Sequence, residues 1–223
     1  DADEKNSSMN IVQLYQAGLG MGDRDYYLVE DDASVKMRDA YKQFISQLFT
    51  LTGASPEQAE AAVNAVMKIE TGIAKSSFSR EDLRDSQKNY NKIKLQEFKA
   101  NNPLDWDVYF ESMGLMEIEY LDAKQLPFYE ALGEFMKNVS IDEQKYYLAF
   151  NLLNAAAPYL SDDFVAQDFE FYGKVMSGKQ EMKPRWKRAV STVDGSLGEA
   201  VGQMYVEKYF PAAAKERMVG LVR

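Results

Sequence analysis

The sequence contains no histidine and no cysteine among its 223 residues. Histidine is the usual general base near neutral pH and the commonest metal ligand, and cysteine is both a nucleophile and a soft ligand. Their absence excludes a Ser-His-Asp triad, a Cys-His dyad and a zinc site of the ordinary His or Cys kind within this chain. Catalysis would have to use carboxylates, lysine, tyrosine or hydroxyl groups, and we favour a chain that is not itself catalytic.

Helix-breaking residues and long apolar runs are also scarce. With 13 Gly and 6 Pro, the chain is predicted to be mostly helical. No apolar run approaches the roughly 20 residues that cross a bilayer, so no membrane segment is predicted. The start at Asp1 is acidic rather than a signal peptide, and we expect a mature form or an excised piece. The net charge of −9 argues against nucleic acid as a partner.

The remaining composition, with 46% hydrophobic residues, is that of a globular chain. Hydrophobic residues recur at helical spacing along most of it. The predicted elements are helices at 35–51, 55–73, 94–100, 105–113, 126–137, 141–153, 163–176, 184–209 and 212–222, and a brief strand at 117–121. No Gly-, Ser- or Pro-rich linker separates domains. We therefore predict a mainly α fold, a single antiparallel multi-helix domain over residues 1–223 with a few short extended segments.

Polar and acidic residues mark several helix starts. The proposed N-caps are Asp31 or Asp32, Ser55 before a proline, Ser140 and Ser161. The acidic groups at residues 30–32, 162–163 and 1–3 are interpreted in the same way, since Asp and Glu favour helix N-termini. Calcium is a weaker interpretation, because it needs six or more oxygens and Lys5 stands where a further ligand would belong.

The strongest periodic pattern runs through residues 184–209. Its apolar face consists of Trp186, Val190, Val193, Leu197, Val201, Met204 and Tyr205. We expect Gly195 and Gly198 to bend this helix. If Val201 or Met204 is buried, truncation to alanine should cost about 2–5 kcal/mol. The basic residues around Trp186 suggest a nucleic-acid contact, but a structural role is favoured because the chain is acidic.

Two polar motifs and one glycine-rich segment are candidates for binding. Residues 18–22, the glycine segment, resemble a phosphate loop, but Asp23 and its neighbours replace the required Gly-Lys-Ser/Thr. A tight turn that uses the positive φ values of glycine is favoured. Residues 24–27 and 80–85 are rich in both charges, so their arginines could bind a peptide terminus or an acidic substrate. Ion pairs within the chain that fasten loops onto helices are the favoured interpretation.

Three segments together resemble the neprilysin-like zinc metalloendopeptidases, which include the endothelin-converting enzymes and bacterial oligopeptidases. Residues 18–28 resemble the family's GLGLPDRDYYL, residues 79–93 its SRxxLRDPxKxYNKM, and residues 184–206 its PRWKRCVxxVxxxLGEALGQLYV. Ser86 replaces a usual proline, and Ala189 stands where secreted animal members often carry cysteine, which fits a bacterial member. The matching motif residues, interpreted as structural, are Arg24, Asp25, Tyr26, Tyr27, Arg80, Arg84, Asp85, Tyr90, Asn91, Arg185, Trp186, Gly198, Glu199, Gly202 and Tyr205.

The resemblance implies that the chain is part of the N-terminal, non-catalytic helical domain of such an enzyme. That domain forms a wall of the chamber in which peptides are cleaved. The zinc cofactor, its HExxH helix and the glutamate ligand belong to the C-terminal domain, and no residue here is predicted to be catalytic or to bind metal. The implied partners are that zinc domain and peptide substrates, in a periplasmic, extracellular or membrane-attached enzyme.

Two other functions remain open. The first is a free-standing helical scaffold that binds a peptide or protein partner. The second is a hydrolase that works with two carboxylates and needs no metal, as glycosidases do. An open reading frame that continues beyond residue 223 into HExxH would favour the peptidase domain over the scaffold. Metal-independent hydrolysis by this polypeptide would favour the carboxylate enzyme.

Overall fold

The computed structural model of the protein describes residues 1–115 and 117–222. The described part contains ten α-helices and a few short strands, with 64% of the chain helical. The predicted mainly α class is confirmed. The chain divides into two compact units, Asp1–Gly178 and Lys179–Arg223.

The first unit contains eight of the α-helices in the described part of the chain. They are α1 Asp25–Leu28, α2 Asp32–Leu51, α3 Pro56–Ser76, α4 Leu95–Asn101, α5 Trp106–Ser112, α6 Leu126–Met136, α7 Ile141–Ala156 and α8 Asp162–Asp168. A π-helix, Phe169–Val175, continues α8, so the single helix predicted for 163–176 is divided. The other predicted helices of this unit agree with the structure to within about three residues at each end. The short helix α1 was not predicted.

Local capping explains where the long helices begin and end. Asp31 accepts hydrogen bonds from the backbone N–H groups of Ala33 and Ser34, at 2.9 and 2.8 Å, and so begins α2. Ser55 and Gln58 form a capping box at the start of α3, with Pro56 in the first turn. Each cap satisfies backbone donors that the helix itself leaves unpaired. These predicted helix starts are confirmed.

The remaining predicted caps, Ser140, Ser161 and the acidic residues 1–3, differ in the contacts that their side chains make. Ser140 forms a capping box with Glu143 at the start of α7. Ser161 is the N-cap residue of α8, but its side chain makes no capping hydrogen bond. The interpretation of residues 1–3 as a cap is wrong, because Asp3 lies in a strand and its carboxylate forms an ion pair with Lys92.

Five short strands complete the described part of the first unit. They are β1 Ala2–Asp3, β2 Asn6–Asn10, β3 Val12–Leu14, β4 Lys92–Lys94 and β5 Tyr120–Ala123. β1 pairs with β2, while β5 lies between β3, which is parallel to it, and β4, which is antiparallel. The strand predicted at 117–121 is therefore displaced toward the C-terminus by about three residues. The other four strands were not predicted.

Helix α3 lies between the two hydrophobic clusters of this unit. One cluster contains Val66 of α3 with side chains from α2 and α7, among them Tyr41 and Phe150. The other contains Ile69 and Ile73 of α3 with side chains from α4, α5, α6 and β5. A helix that is apolar on two faces is buried on both. Because α3 contributes side chains to both clusters, it holds the elements on either side of it in place.

The second unit consists of two helices, α9 Arg185–Tyr209 and α10 Ala212–Val222. Leu197 has non-helical φ and ψ of −131° and 31°, next to Gly198, so the expected bend is confirmed. No described residue of α9 or α10 is buried, and Met204 is 72% exposed. The condition that Val201 or Met204 is buried is therefore not met in the described residues. Helical spacing indicates an apolar face, but it does not indicate what covers it.

Candidate functional site

The glycine segment connects β3 to α1 and forms a tight turn. Gly18 and Gly22 have φ of 100° and 77°, and the backbone N–H of Gly22 donates to the carbonyl of Leu19 at 3.0 Å. Side chains other than glycine rarely adopt such positive φ values. The prediction of a turn is confirmed.

A buried carboxylate, Glu70 of α3, lies directly against this turn. Tyr27 donates a hydrogen bond of 2.5 Å to it, and Tyr41 donates at 3.0 Å. The backbone N–H of Gly20 also donates to it. The hydroxyl of Tyr27 in turn accepts from the backbone N–H of Met21 at 3.0 Å. Glu70 thus joins the glycine segment, α1 and α2 to the central helix.

Two further tyrosines hold the carbonyl groups of the same segment. Tyr147 of α7 donates to the carbonyl of Gly18 at 2.9 Å, and Tyr172 of the π-helix donates to that of Gly20 at 3.1 Å. We call Tyr27, Tyr41, Tyr147 and Tyr172 the tyrosine cage. A Cβ atom at Gly20 would lie 1.9 Å from the hydroxyl oxygen of Tyr41, so only glycine fits there.

The electrostatics of the cage follow from its burial. Desolvation raises the pKa of Glu70 to about 7, although the hydrogen bonds from Tyr27, Tyr41 and Gly20 lower it. Burial and the nearby carboxylate raise the pKa of Tyr27 and of Tyr41. No Lys or Arg is among the groups that shift the pKa of Glu70. A carboxylate with a pKa near 7 is suited to acid–base chemistry, but Glu70 is fully buried, which favours a structural role.

Each of the two charged motifs, residues 24–27 and 80–85, has an arginine that contacts the segment beside the other motif. Arg24 donates to the carbonyl of Ser77 at 2.5 Å, and Arg80 forms an ion pair with Asp23. Asp25 is exposed at the first turn of α1. These contacts fasten the loop that follows α3 to the start of α1. The contacts are of the kind expected from intramolecular ion pairing.

Tyr26 and Tyr27 differ in environment although they are adjacent in α1. Tyr26 is partly buried against the first cluster, whereas Tyr27 is buried and belongs to the tyrosine cage. Arg84 ends the 3-10 turn Asp82–Arg84 and is exposed. Asp85 follows that turn, and its carboxylate accepts from the backbone N–H groups of residues 87 and 88.

Tyr90 and Asn91, which lie further along the family-like segment 79–93, form hydrogen bonds to residues in and beside the strands. Tyr90 donates to the carboxylate of Asp3 at 2.9 Å. The backbone N–H of Asn91 donates to the carboxylate of Asp122 at 2.7 Å, and its side chain donates to the carbonyl of Lys124 at 3.0 Å. This motif therefore connects β1 to β5.

A buried ion-pair group at these strands was missed by the sequence analysis. Lys92 contacts Asp3 at 2.8 Å, and Lys124 contacts Asp122 at 2.8 Å and Glu4 at 2.5 Å. The hydrogen bond from Lys92 is the main reason that the pKa of Asp3 falls to about 2. Both charges of the Lys124–Asp122 pair are buried, which is tolerated only when the partners satisfy each other.

The third motif lies in α9 of the second unit. Arg185, Gly198, Glu199 and Gly202 are all helical there. Trp186 is 64% exposed, and the ring of Tyr205 lies 5.4 Å from that of Tyr209. Neither aromatic side chain is part of a core in the described residues.

Within residues 1–115 and 117–222, no group of three or more His, Cys, Asp or Glu side chains could hold a metal ion. In the same residues, no helix is both long and apolar enough to cross a membrane.

The fold and the site define a mainly α domain in which a glycine segment is fixed by buried tyrosines and a carboxylate. The chain belongs to peptidase family M13, because the model of the N-terminal part of that family matches residues 1–223. The predicted resemblance to neprilysin-like peptidases is thereby confirmed.

Named relatives agree with this assignment. Endothelin-converting enzyme 1 of Homo sapiens is 28% identical over 220 residues, which are 96% of this chain and 28% of the human protein. The Mycobacterium tuberculosis zinc metalloprotease Zmp1 in complex with an inhibitor is 29% identical, with a TM-score of 0.91 over 100% of this chain and 34% of that one. PepO of Lactobacillus rhamnosis, at 22% identity and a TM-score of 0.79 over 100% of this chain and 35% of that one, shows the same fold. The chain spans only about a third or less of each relative.

Proposed function

We propose that this chain forms part of the chamber wall of a bacterial, neprilysin-like zinc metalloendopeptidase that cleaves peptides. The observation that carries the proposal is the match of the M13 family model to all 223 residues. The similarity to a protein described as a zinc metalloprotease supports the choice of zinc as the parent's cofactor. The chain itself contains no histidine and no cysteine, and its described carboxylates form no metal-binding group.

The division of roles follows from this chemistry. Zinc in such an enzyme activates a water molecule, and the described residues of this chain do not fit the metal. The contribution of residues 1–178 is a rigid helical surface. The tyrosine cage supports this role, since it fixes the glycine segment by hydrogen bonds to the carbonyls of Gly18 and Gly20 and from the backbone N–H of Met21. The motif residues are then structural.

We further propose that residues 1–223 belong to one domain of the parent protein, although they form two compact units. The exposed apolar face of α9 supports this, because Leu197 and Met204 are 60% and 72% exposed. An exposed apolar helix face is typical of a surface that another part of a protein covers. The proposed partners are the zinc domain of the same polypeptide and peptide substrates. The proposed location is periplasmic, extracellular or membrane-attached.

A hydrolysis assay tests the proposal. The 223-residue polypeptide and the longer polypeptide that includes the HExxH region are each given a short peptide and a folded protein, with and without a zinc chelator. We expect the longer polypeptide to cleave only the peptide, to lose this activity with the chelator, and the 223-residue polypeptide to be inactive. Metal-independent cleavage by the 223-residue polypeptide, lost when one Asp or Glu is replaced, would overturn it.

The second candidate function is a free-standing scaffold that binds a peptide or protein partner. The exposed face of α9 favours it as well, because such a face also suits a partner from another chain. The reading frame discriminates between the two functions. A frame that runs on into HExxH supports the peptidase domain, and a stop codon after residue 223 supports the scaffold.

A further inference from the structure

Helix α7 carries an apolar face that no described part of the first unit covers. Ile141, Leu148 and Leu152 are 71%, 67% and 71% exposed, and Tyr159, in the turn that continues the helix, is 71% exposed. Spacings of seven and four residues put the first three on one side of α7, and Tyr159 follows at the end of the 3-10 turn Ala157–Tyr159. We call these four side chains the α7 face.

The opposite side of the same helix is already part of the core. Phe150 is fully buried in the first cluster, where Tyr146 and Leu153 pack beside it. α7 is therefore apolar on two sides. Helices with this property are usually buried on both sides, as α3 is between the two clusters.

We propose that the α7 face receives an amphipathic helix from the part of the parent peptidase that lies outside these 223 residues. This inference rests on the proposed function. The chain matches Zmp1 with a TM-score of 0.91 over its whole length but spans only 34% of that protein, so a relative of this kind has ample further chain to cover the face. Side chains four and seven residues apart on a helix share one face, as the a and d positions of paired helices do.

Other occupants fit the α7 face less well. A specific interface with a second copy would need roughly 800 Å², or about 20–30 residues, on each partner. The α7 face offers only four side chains. A free peptide would have to fold into a helix and also lose its translational freedom. A helix of the same polypeptide avoids that second cost. Lys145, which lies between Ile141 and Leu148 along the helix, is paired with Asp142 at 3.1 Å, so its charge has a partner on α7 itself.

Hydroxyl-radical footprinting measures the side-chain exposure that the proposal concerns. The 223-residue polypeptide and the longer polypeptide with the HExxH region are labelled under the same conditions, and modification is quantified at Leu148, Leu152 and Tyr159. We expect strong modification in the short polypeptide and a several-fold lower rate in the long one. Val108 of α5, which is 61% exposed but lies on another helix, is the internal control for radical dose.

A paired substitution provides a second measurement. Leu148→Lys together with Leu152→Lys should leave the thermal midpoint of the 223-residue polypeptide unchanged and lower that of the longer polypeptide. The matched control, Val108→Lys, places the same charge at an exposed apolar helix position. A midpoint unchanged by the double substitution in both polypeptides would contradict the proposal.

The remaining outcomes separate this inference from the proposed function. If the long polypeptide cleaves peptides while Leu152 stays as reactive as in the short one, the inference is wrong and the proposed function stands. If Leu152 is protected but no peptide is cleaved, the proposed function fails instead. Protection in the short polypeptide that grows with its concentration would identify a second copy as the occupant and overturn the proposal.

Discussion

The two units of this chain use the same helical periodicity with opposite results. In residues 1–178, the apolar positions of α2 and α3 are buried, and Tyr41 and Val66 are fully inaccessible. In the described part of residues 179–223, α9 has an equally regular apolar face but no buried residue. Sequence spacing therefore predicts that a helix has an apolar face in both units. Whether that face is core depends on what the rest of the protein brings to it.

The largest expected effect is the difference between truncating a buried aromatic side chain in the first unit and truncating an exposed side chain in the second. Phe150→Ala removes a fully buried ring and should lower the free energy of unfolding by about 3–5 kcal/mol. Met204→Ala, at a side chain that is 72% exposed, should change it by less than about 0.5 kcal/mol. Urea denaturation of the 223-residue polypeptide measures both. A similar loss of unfolding free energy at the two positions would contradict the proposed difference between the units.

The buried carboxylate gives the first unit a pH dependence. The pKa of Glu70 is about 7 in the folded chain, above its ordinary value of 4.5, so the folded state binds the proton more tightly between these pH values. The resulting stability is fully present below pH 4.5 and is lost as the pH rises through 7, by about 3 kcal/mol. Denaturation curves across this range measure it. The Glu70→Gln variant serves as the control and should lack this component; an unchanged pH profile in that variant would contradict the assignment to Glu70.

A pair of glycine substitutions tests close packing in one unit against open space in the other. Gly20→Ala would place a Cβ atom against the hydroxyl of Tyr41 and should cost about 1–3 kcal/mol. Gly195→Ala in α9 meets nothing within 4 Å and should stabilise that helix by about 0.5–1 kcal/mol. Thermal unfolding followed by circular dichroism reports both. A tolerated Gly20→Ala would mean that the tyrosine cage can rearrange.

The smallest expected effect concerns the segment between the units. Residues 178–184 contain no helix or strand, and Lys179 is exposed, so trypsin should cut there early. Because the described buried side chains all precede Lys179, cleavage should change the stability of residues 1–178 by less than about 0.5 kcal/mol. Mass spectrometry identifies the cut, and denaturation of the product measures the change. A large loss would show that the two units stabilise each other.

The helices were predictable because each one carries its own local signals. Asp31 and Ser55 mark starts that the structure reproduces, and the apolar spacing fixes the helices between them. The short strands lack such signals. β3 has three residues, and its partner β5 is more than a hundred positions away, so its existence depends on a tertiary contact rather than on local periodicity.

The candidate site was predictable only in part. The glycine turn and the charged motifs were found because their residue types are unusual. Glu70 was missed because a glutamate within a helix is ordinarily exposed. Its position offered a signal, since Glu70 falls on the same side of α3 as Val66 and Ile73. A single charged residue on an apolar helix face implies a buried polar partner, which here is the pair of hydroxyls from α1 and α2.

The tyrosine cage also has a consequence for the order of folding. Its hydrogen bonds from Tyr147 and Tyr172 to the glycine segment join residues 129 and 152 positions apart. Contacts across such long stretches of chain must wait for loop closure, whereas the capped helices can begin locally. We therefore expect the cage to close after the folding transition state, so that its hydrogen bonds chiefly set the rate of unfolding. The glycine segment would then slow the unfolding of the helical unit without changing the rate at which that unit folds.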